Sequence, residues 1–477
     1  MSARAALEAI KTALGQGGWL EAPEDVEPYL VDFRRLYHGR APLVVRPASV
    51  AEVQAVMRIC HEAGIGVVPH GGNTSYCGGA TPDESGTQIV LSLARFNRVR
   101  ATDAAGYSIT LDAGCTLAAA QAAASAAGRL FPLSLGSEGS CQVGGNLSTN
   151  AGGTAVLRYG MMRELVLGLE VVLPDGSLLD QLRSLRKDNT GYDVKQLYLG
   201  AEGTLGVITG ACLKLFPAPS DYLTALVAVE GIGAAVELLG RTRGAFGDAV
   251  EGFEYVPRAA LELTRAHLAG ALNPFDDPHP GCVLLELQAP GSVPGLAGRF
   301  EEFLGAEIEA GRARDAIVAS SLAQREAIWY LREHIPEAQT REGASIKHDV
   351  SLPIARLAEF VARAEEKLAT LAPGARIVGY GHVGDGNLHF NLSPAPGVER
   401  GSPAEAAFLA LAPTVNRAVH DLVAELGGSF SAEHGIGRLK VGELERYEDP
   451  VALEVMRRIK GALDPRGIMN PGKVLRN

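Results

Sequence analysis

Gly136-Ser137-Glu138-Gly139-Ser140-Cys141-Gln142-Val143-Gly144-Gly145-Asn146-Leu147-Ser148-Thr149-Asn150-Ala151-Gly152-Gly153 decides the fold. Glycines recur through it with small hydroxyl and amide side chains between them. Such a stretch turns backbone N–H groups toward an anion and lets a ligand lie against the chain where a side chain is missing. A shorter stretch of the same character, His70-Gly71-Gly72-Asn73-Thr74-Ser75, lies upstream. Two such loops in one half of the chain point to a large phosphorylated cofactor held at several places. Neither reads G-x-x-x-x-G-K-[ST], and neither is a G-x-G-x-x-G opening a helix, so a P-loop and a Rossmann site both fit poorly. The plainer reading is tight turns alone, which leaves the interleaved Asn, Thr and Ser without a role.

Outward from these loops the pattern alternates. Leu43-Val44-Val45-Arg46-Pro47 is strand-like, and Ser49-Val50-Ala51-Glu52 is a capping box that opens a helix whose inner face holds Val50, Val53, Met57 and Cys60. Gly64 ends that helix, and Ile65–Pro69 is a second strand that delivers the first glycine loop at its carboxyl end. Ile89–Leu93 and Ser108–Ala113 are further strands, Thr116 caps an alanine-rich helix to Ala127, and Leu167–Leu179 reads as a hairpin around Pro174-Asp175-Gly176. The apolar run Gly203–Phe216 ends at Pro217-Ala218-Pro219, the first expected boundary. Beyond it, helical stretches (Ala234–Arg243, Arg299–Ala310, Ser320–Glu342, Pro353–Leu371) alternate with single strands such as Val283–Leu287. The fold class is α+β, with domains expected at 1–219 (two lobes, split near 105), 220–425 and a closing segment 426–477.

Bulk properties narrow the function. The chain has 477 residues, 47% hydrophobic and 21% charged, and a formal charge of −11, which disfavours nucleic acid and anionic membranes as partners. No apolar run reaches the ~18 residues of a membrane span, and the start lacks the basic-then-apolar layout of a secretory signal. Six scattered cysteines form neither a disulfide framework nor a C-x-x-C, so a cytoplasmic setting is expected.

A second constellation lies at Gly381-His382-Val383-Gly384-Asp385-Gly386-Asn387-Leu388-His389-Phe390-Asn391. Gly384–Asn387 is a turn by composition, so His382 and His389 flank it and can face each other, with Asn391 on the His389 face. Ser431-Ala432-Glu433-His434-Gly435-Ile436-Gly437 adds a carboxylate beside a histidine. Two neutral imidazoles and a carboxylate suit Zn²⁺, Mn²⁺ or Fe²⁺, although this is no standard zinc spacing and such histidines are often only hydrogen-bonded. Arg332 and Lys347 are basic groups near loops. Taken alone they are surface charges, but Lys347 precedes a strand-like run and could face a cleft.

The chain resembles the FAD-linked oxidoreductases of the vanillyl-alcohol-oxidase superfamily, and within it the D-2-hydroxyacid dehydrogenases, nearest those acting on D-2-hydroxyglutarate. The resemblance runs from about Tyr29 to Val474. It rests on PHGGNTS (69–75), GSCQVGGNLSTNAGG (139–153), LRKDNTGYD (185–193), GAEGTLGVIT (200–209), KHDVSLP (347–353), GYGHVGDGNLHFN (379–391), SAEHGIG (431–437) and DPRGIMNPGK (464–473). It implies a two-lobed FAD-binding domain of the p-cresol methylhydroxylase type, an α+β substrate (cap) domain, and a C-terminal segment returning to the flavin. By the same resemblance, non-covalent FAD is held by Pro69, Gly71, Gly72, Asn73, Thr74 and Ser75 at the pyrophosphate. Gly136, Ser140, Gly144, Asn146, Thr149, Asn150, Gly152 and Gly153 line the flavin, Glu202, Gly203 and Ile208 lie on the adenine side, and Asn470 reaches in from the tail. A divalent metal, Zn or Mn, maps onto His382, His389 and Glu433. Asn391 and His434 map onto substrate contacts, with His434 the catalytic base, and Arg332 and Lys347 onto carboxylate-holding groups. Where some relatives carry a hydroxyl four residues after the arginine, this chain has Pro336.

The implied reaction is oxidation of a D-2-hydroxy acid to a 2-keto acid, D-2-hydroxyglutarate to 2-oxoglutarate first. D-lactate, glycolate or D-mandelate are alternatives that Pro336 keeps open. Electrons would pass to an electron-transfer flavoprotein, a quinone or a cytochrome, and a homodimer is one expectation for the assembly. Two readings outside this class stand beside it: a non-redox metal-dependent enzyme or metal-binding module, and a flavin-binding electron-transfer subunit.

Overall fold

A computed structural model describes residues 1–289, 291 and 293–476. The first unit comprises Met1–Gly153, Tyr159–Ala218 and Glu433–Asn477, and the second Thr154–Arg158 and Pro219–Ala432.

In the first unit the capping box forms as the sequence predicts. Ser49 accepts the amide of Glu52 at 3.2 Å, and the Glu52 carboxylate accepts the amide of Ala48 at 2.8 Å. This starts the helix Val50–Ala63, which Gly64 closes in the left-handed region. Val53, Val56, Met57 and Cys60 are fully buried on one face, against Val67, Ile89 and Leu91 of the adjoining strands. Those strands, Gly66–His70 and Gln88–Ser92, pair in parallel, and Val44–Val45 pairs in parallel with the second of them. With Trp19–Leu20 they make a four-stranded sheet. The second lobe is a five-stranded antiparallel sheet in the order Val99–Asp103, Ser108–Asp112, Val207–Lys214, Val166–Val172, Leu178–Gln181. One hydrophobic cluster runs through both lobes and takes in Ile468 and Met469 from the C-terminal tail.

The second unit is built on Val250–Pro257, Gly281–Ala289, Asp221–Val229 and Asp315–Val318, adjacent in that order and antiparallel. A smaller sheet places Asn387–Ser393 between Asp349–Ser351 and Arg376–Tyr380. Two expectations change in detail. The glycine stretch read as a loop contains the short helix Val143–Ser148. The helical run expected over Ser320–Glu342 is two helices, Leu322–Glu333 and Ile335–Glu342, broken at His334. Pro336 supplies no N–H for the carbonyl of Arg332 and its ring crowds that carbonyl, so one helix cannot pass through. Among the described residues no helix is long and apolar enough to cross a membrane.

Candidate functional site

The first unit brings its glycine stretches together. The loop Gly71–Ser75 leaves the carboxyl end of Gly66–His70, and a Cβ at Gly72 would lie 2.0 Å from the Ser140 carbonyl oxygen. The two loops therefore touch where only glycine fits. A Cβ at Gly153 would meet the Ser134 carbonyl at 1.9 Å, and Gly144 packs on Ala113. Gly71, Gly136 and Gly145 differ: a Cβ there meets nothing closer than 3.7 Å, so their faces stay open. Asn73 adopts a positive φ and donates to the Val31 carbonyl at 2.8 Å. Thr149 and Ser140 donate their hydroxyls to Gly145 and Ser137, Asn146 is buried, and Asn150 accepts the amide of Arg163.

Around these loops lie groups that lack partners. Asn470 donates to the carbonyls of Gly79 and Glu202 at 2.9 and 2.8 Å, but its buried Oδ1 has none. His70 is buried with both ring nitrogens unpartnered, its ring 5.0 Å from Tyr29, and burial lowers its imidazole to about 4. His70 adjoins the open face of Gly71, where a cavity of about 490 Å³ is lined by Tyr29, His70, Gly71, Gly72 and Asn73. An unmet buried polar atom costs about 1–3 kcal/mol, so such groups mark where a polar ligand belongs. Glu202 does something the sequence does not foretell. Its carboxylate accepts the amides of Ile436 and Gly437 at 2.7 and 2.8 Å, fixing the tail segment to this loop, while burial pushes its carboxyl up. Pro69 packs against Gly203, and Ile208 is buried in its strand.

The second unit assembles side chains. Three amides, of Asp385, Gly386 and Asn387, converge on the His382 carbonyl and make the turn between the histidines. The His382 and His389 rings lie 5.5 Å apart. His389 sits on the central strand, paired across to Asp349 on one side and Tyr380 on the other. Its Nδ1 is 3.8 Å from the Asp349 carboxylate, and Asn391 follows two residues on along the same face.

Beneath them lies a residue that sequence reasoning misses. Glu254, 1% exposed, accepts from His382 Nδ1 at 2.6 Å and from Arg332 Nε at 2.7 Å. Burial works to raise its carboxyl, but His382 and Arg332 against it hold it at about 2. It is therefore ionised and can only accept, so His382 keeps its proton on Nδ1. Arg332 Nη2, which can only donate, faces His382 Nε2 at 3.3 Å, so the ring keeps a lone pair there. A carboxylate behind a histidine orients the ring as it does for metal ligands, and here Arg332 meets the lone pair on the other nitrogen. The signal for Glu254 is a carboxylate inside the otherwise apolar strand Val250–Pro257.

Arg332 is buried with its Nε and Nη2 engaged, and Lys347 is exposed two residues before Asp349. Asp349 and His389 offer ligand atoms within 4.8 Å of each other, as do the consecutive Glu433 and His434. Within the second unit the amide of Ala432 donates to the Asp349 carbonyl at 3.3 Å. The His434 ring lies 4.6 Å from that of Tyr76.

The comparisons agree with this division of labour. Residues 41–181 match the FAD binding domain family, and residues 218–474 match the C-terminal domain of FAD linked oxidases. The chain is 41% identical over 457 residues to the mitochondrial D-2-hydroxyglutarate dehydrogenase of Bos taurus, covering 95% of this chain and 80% of that one. It is 34% identical to the Arabidopsis thaliana enzyme of the same name over 98% of this chain and 80% of that one. It is also 34% identical to a D-2-hydroxyglutarate–pyruvate transhydrogenase of Saccharomyces cerevisiae, over 95% of this chain and 90% of that one. A p-cresol methylhydroxylase structure superimposes with a TM-score of 0.77 at 17% identity, covering 99% of this chain and 97% of that one, which shows the shared fold. The expected cytoplasmic setting is corrected, because the bovine and Arabidopsis relatives are named as mitochondrial. All six cysteines are free and buried, and buried thiols do not register the compartment, so that inference has no physical footing. The reading as a non-redox metal enzyme is set aside on the same matches. The chain is an FAD-dependent 2-hydroxyacid dehydrogenase and belongs to the FAD linked oxidases, in the family of the D-2-hydroxyglutarate dehydrogenases.

Proposed function

We propose that the chain oxidises D-2-hydroxyglutarate to 2-oxoglutarate, with non-covalently bound FAD and a divalent cation, Zn²⁺ or Mn²⁺. The names of the relatives support the substrate. The observation that carries the reading is His389 with its Nδ1 3.8 Å from the Asp349 carboxylate, its ring 5.5 Å from that of His382, whose Nδ1 Glu254 holds.

The two loops, with Pro69, Gly71 through Ser75, Gly136, Ser140, Gly144, Asn146, Thr149, Asn150, Gly152, Gly153, Glu202, Gly203, Ile208 and Asn470, hold FAD. Its chemistry there is acceptance of two electrons. The unmet Oδ1 of Asn470 and the open faces of Gly71, Gly136 and Gly145 fit such a guest. His382, His389 and Glu433 hold the cation, whose chemistry is Lewis acidity toward a hydroxy-carboxylate. Asp349 beside His389 adds a carboxylate to that set. His434 accepts the 2-hydroxyl proton on a ring nitrogen as the C2–H leaves with its electron pair, so the alcohol carbon becomes a ketone and the charges balance. Asn391, Arg332 and Lys347 hold the substrate's carboxylates. An electron-transfer flavoprotein or a quinone receives the electrons next. The yeast relative's name makes a 2-keto acid a further acceptor to test. The assembly is proposed as a homodimer.

Anaerobic bleaching of the bound flavin by a panel of D- and L-2-hydroxy acids, before and after chelation, tests this. Bleaching by D-2-hydroxyglutarate that is lost with chelator and restored by Zn²⁺ or Mn²⁺ is expected. Bleaching by D-lactate or D-mandelate in its place would move the substrate, and bleaching that survives chelation would remove the metal.

A further inference from the structure

Gln339 is 1% exposed on the helix Ile335–Glu342, and its Nε2 has no hydrogen-bond partner. The surrounding network fixes which end of the amide is unmet. The backbone N–H of His348 donates to Asn391 Oδ1 at 3.2 Å, so Asn391 presents its Nδ2 on the other side. That Nδ2 donates to Gln339 Oε1 at 2.9 Å. Gln339 must therefore accept with its oxygen, and the orphaned end is a donor with two N–H groups. A buried amide nitrogen left unmet is costly, and an arriving acceptor relieves that cost.

Position names the acceptor. Asn391 is two residues beyond His389 on one strand face, roughly 6.7 Å at ~3.3–3.4 Å per residue. Arg332 lies beside the Tyr380–His389 row, its guanidinium 5.0 Å from the Tyr380 ring. Gln339 lies beside the Asn391 row, on the next helix, past the break at His334. A dicarboxylate held by its hydroxy-carboxylate end beside His389 has a second carboxylate to offer the amide beside Asn391, and D-lactate has none.

We propose that Gln339 is a specificity-determining residue that donates from Nε2 to the distal carboxylate of a 2-hydroxy dicarboxylate. This rests on the reading of the site as a 2-hydroxyacid dehydrogenase. It also gives the position of Pro336 a meaning: the proline breaks the helix, and the next inward-facing polar group, Gln339, is the donor on that side of the sheet.

The test compares kcat/KM for D-2-hydroxyglutarate and D-lactate in the wild-type holoenzyme, Gln339→Leu and Gln339→Glu, with flavin content checked for each. The leucine variant is expected to lose roughly 10–100-fold on the dicarboxylate, chiefly in KM, and several-fold less on D-lactate, which feels only the loss of the acceptor for Asn391. The glutamate variant keeps an acceptor for Asn391 but sets a negative charge against the second carboxylate. It is expected to lose more on the dicarboxylate and nothing on D-lactate. Equal losses on both substrates would overturn the proposal, since Gln339 would then only be positioning Asn391, and so would no loss on either. A wild-type enzyme that oxidises D-lactate but not the dicarboxylate sinks this inference and leaves the dehydrogenase standing. A wild-type enzyme whose flavin no 2-hydroxy acid reduces sinks the reading beneath it.

Discussion

The glycine loops of the first unit and the histidine–arginine cluster of the second make their sites in opposite ways. At Gly72, Gly144 and Gly153 the chain is pressed against another stretch of backbone, and the site is what remains when side chains are absent. At Glu254, Arg332, His382 and His389 the backbone is ordinary strand and helix, and the site is what four side chains do to one another. The first kind of site fails when an atom is added, the second when a charge is taken away.

That contrast sets the order of the expected effects. Glu254→Gln leaves the guanidinium of Arg332 buried without its counter-charge, which costs roughly 3–5 kcal/mol in comparable pairs. Thermal unfolding should show the largest loss of any variant considered, with substrate reduction of the flavin lost as well. A variant that unfolds like the wild type would mean the pair is not the anchor described. Gly72→Ala places a methyl 2.0 Å from the Ser140 oxygen, an overpacking of about 1–3 kcal/mol or more, and the purified protein should lose most of its flavin. Gly71→Ala meets nothing closer than 3.7 Å within the protein, so its flavin loss measures the ligand's own approach there. Equal flavin content in both variants would break the distinction between a pressed and an open glycine.

Away from both sites, Glu251 supplies a smaller effect with a defined sign. Burial, then the neighbouring Glu286 carboxylate, pushes its carboxyl up to about 7, against Arg158 and Arg325. A carboxyl raised in the folded state binds its proton more tightly there than in the unfolded chain. Stability therefore falls as pH rises from the unfolded value near 4.5 through about 7. Glu251→Gln should remove that decline and stabilise the protein at pH 8 by on the order of 2 kcal/mol, read as the difference between denaturation midpoints at pH 5 and pH 8. A parallel pH dependence in variant and wild type would refute it. Smallest is Ser49→Ala, which removes the oxygen that caps Val50–Ala63 and should cost about 1 kcal/mol without changing flavin content.

The same contrast separates what is legible in the sequence from what is not. Local signals can be read: the Ser49–Glu52 box, Gly64 as a stop, the turn between His382 and His389, and the glycine loops all act over a few residues, and each is written in consecutive letters. What depends on distant chain cannot. Glu254 is separated from His382 by 128 residues and is marked in the sequence only as a charge in an apolar strand. The carboxylate of Glu202, expected to face a cofactor, holds the amides of Ile436 and Gly437, more than 230 residues away. The break at His334 is written in the sequence as Pro336 but is masked by the helical pattern on either side.

The approach of Gly72 to Ser140 also says how this protein can change. A loop pressed backbone to backbone has no intermediate steps open to it. In a saturation library Gly72 should fall silent at every alternative amino acid, while Gly136, with nothing within 4 Å of its missing methyl, should accept small replacements and alter how the guest is held. Adaptation to a different cofactor environment would therefore begin at the open glycines and leave the pressed ones untouched, so the pattern of tolerance in a deep mutational scan would trace the outline of the loop contact.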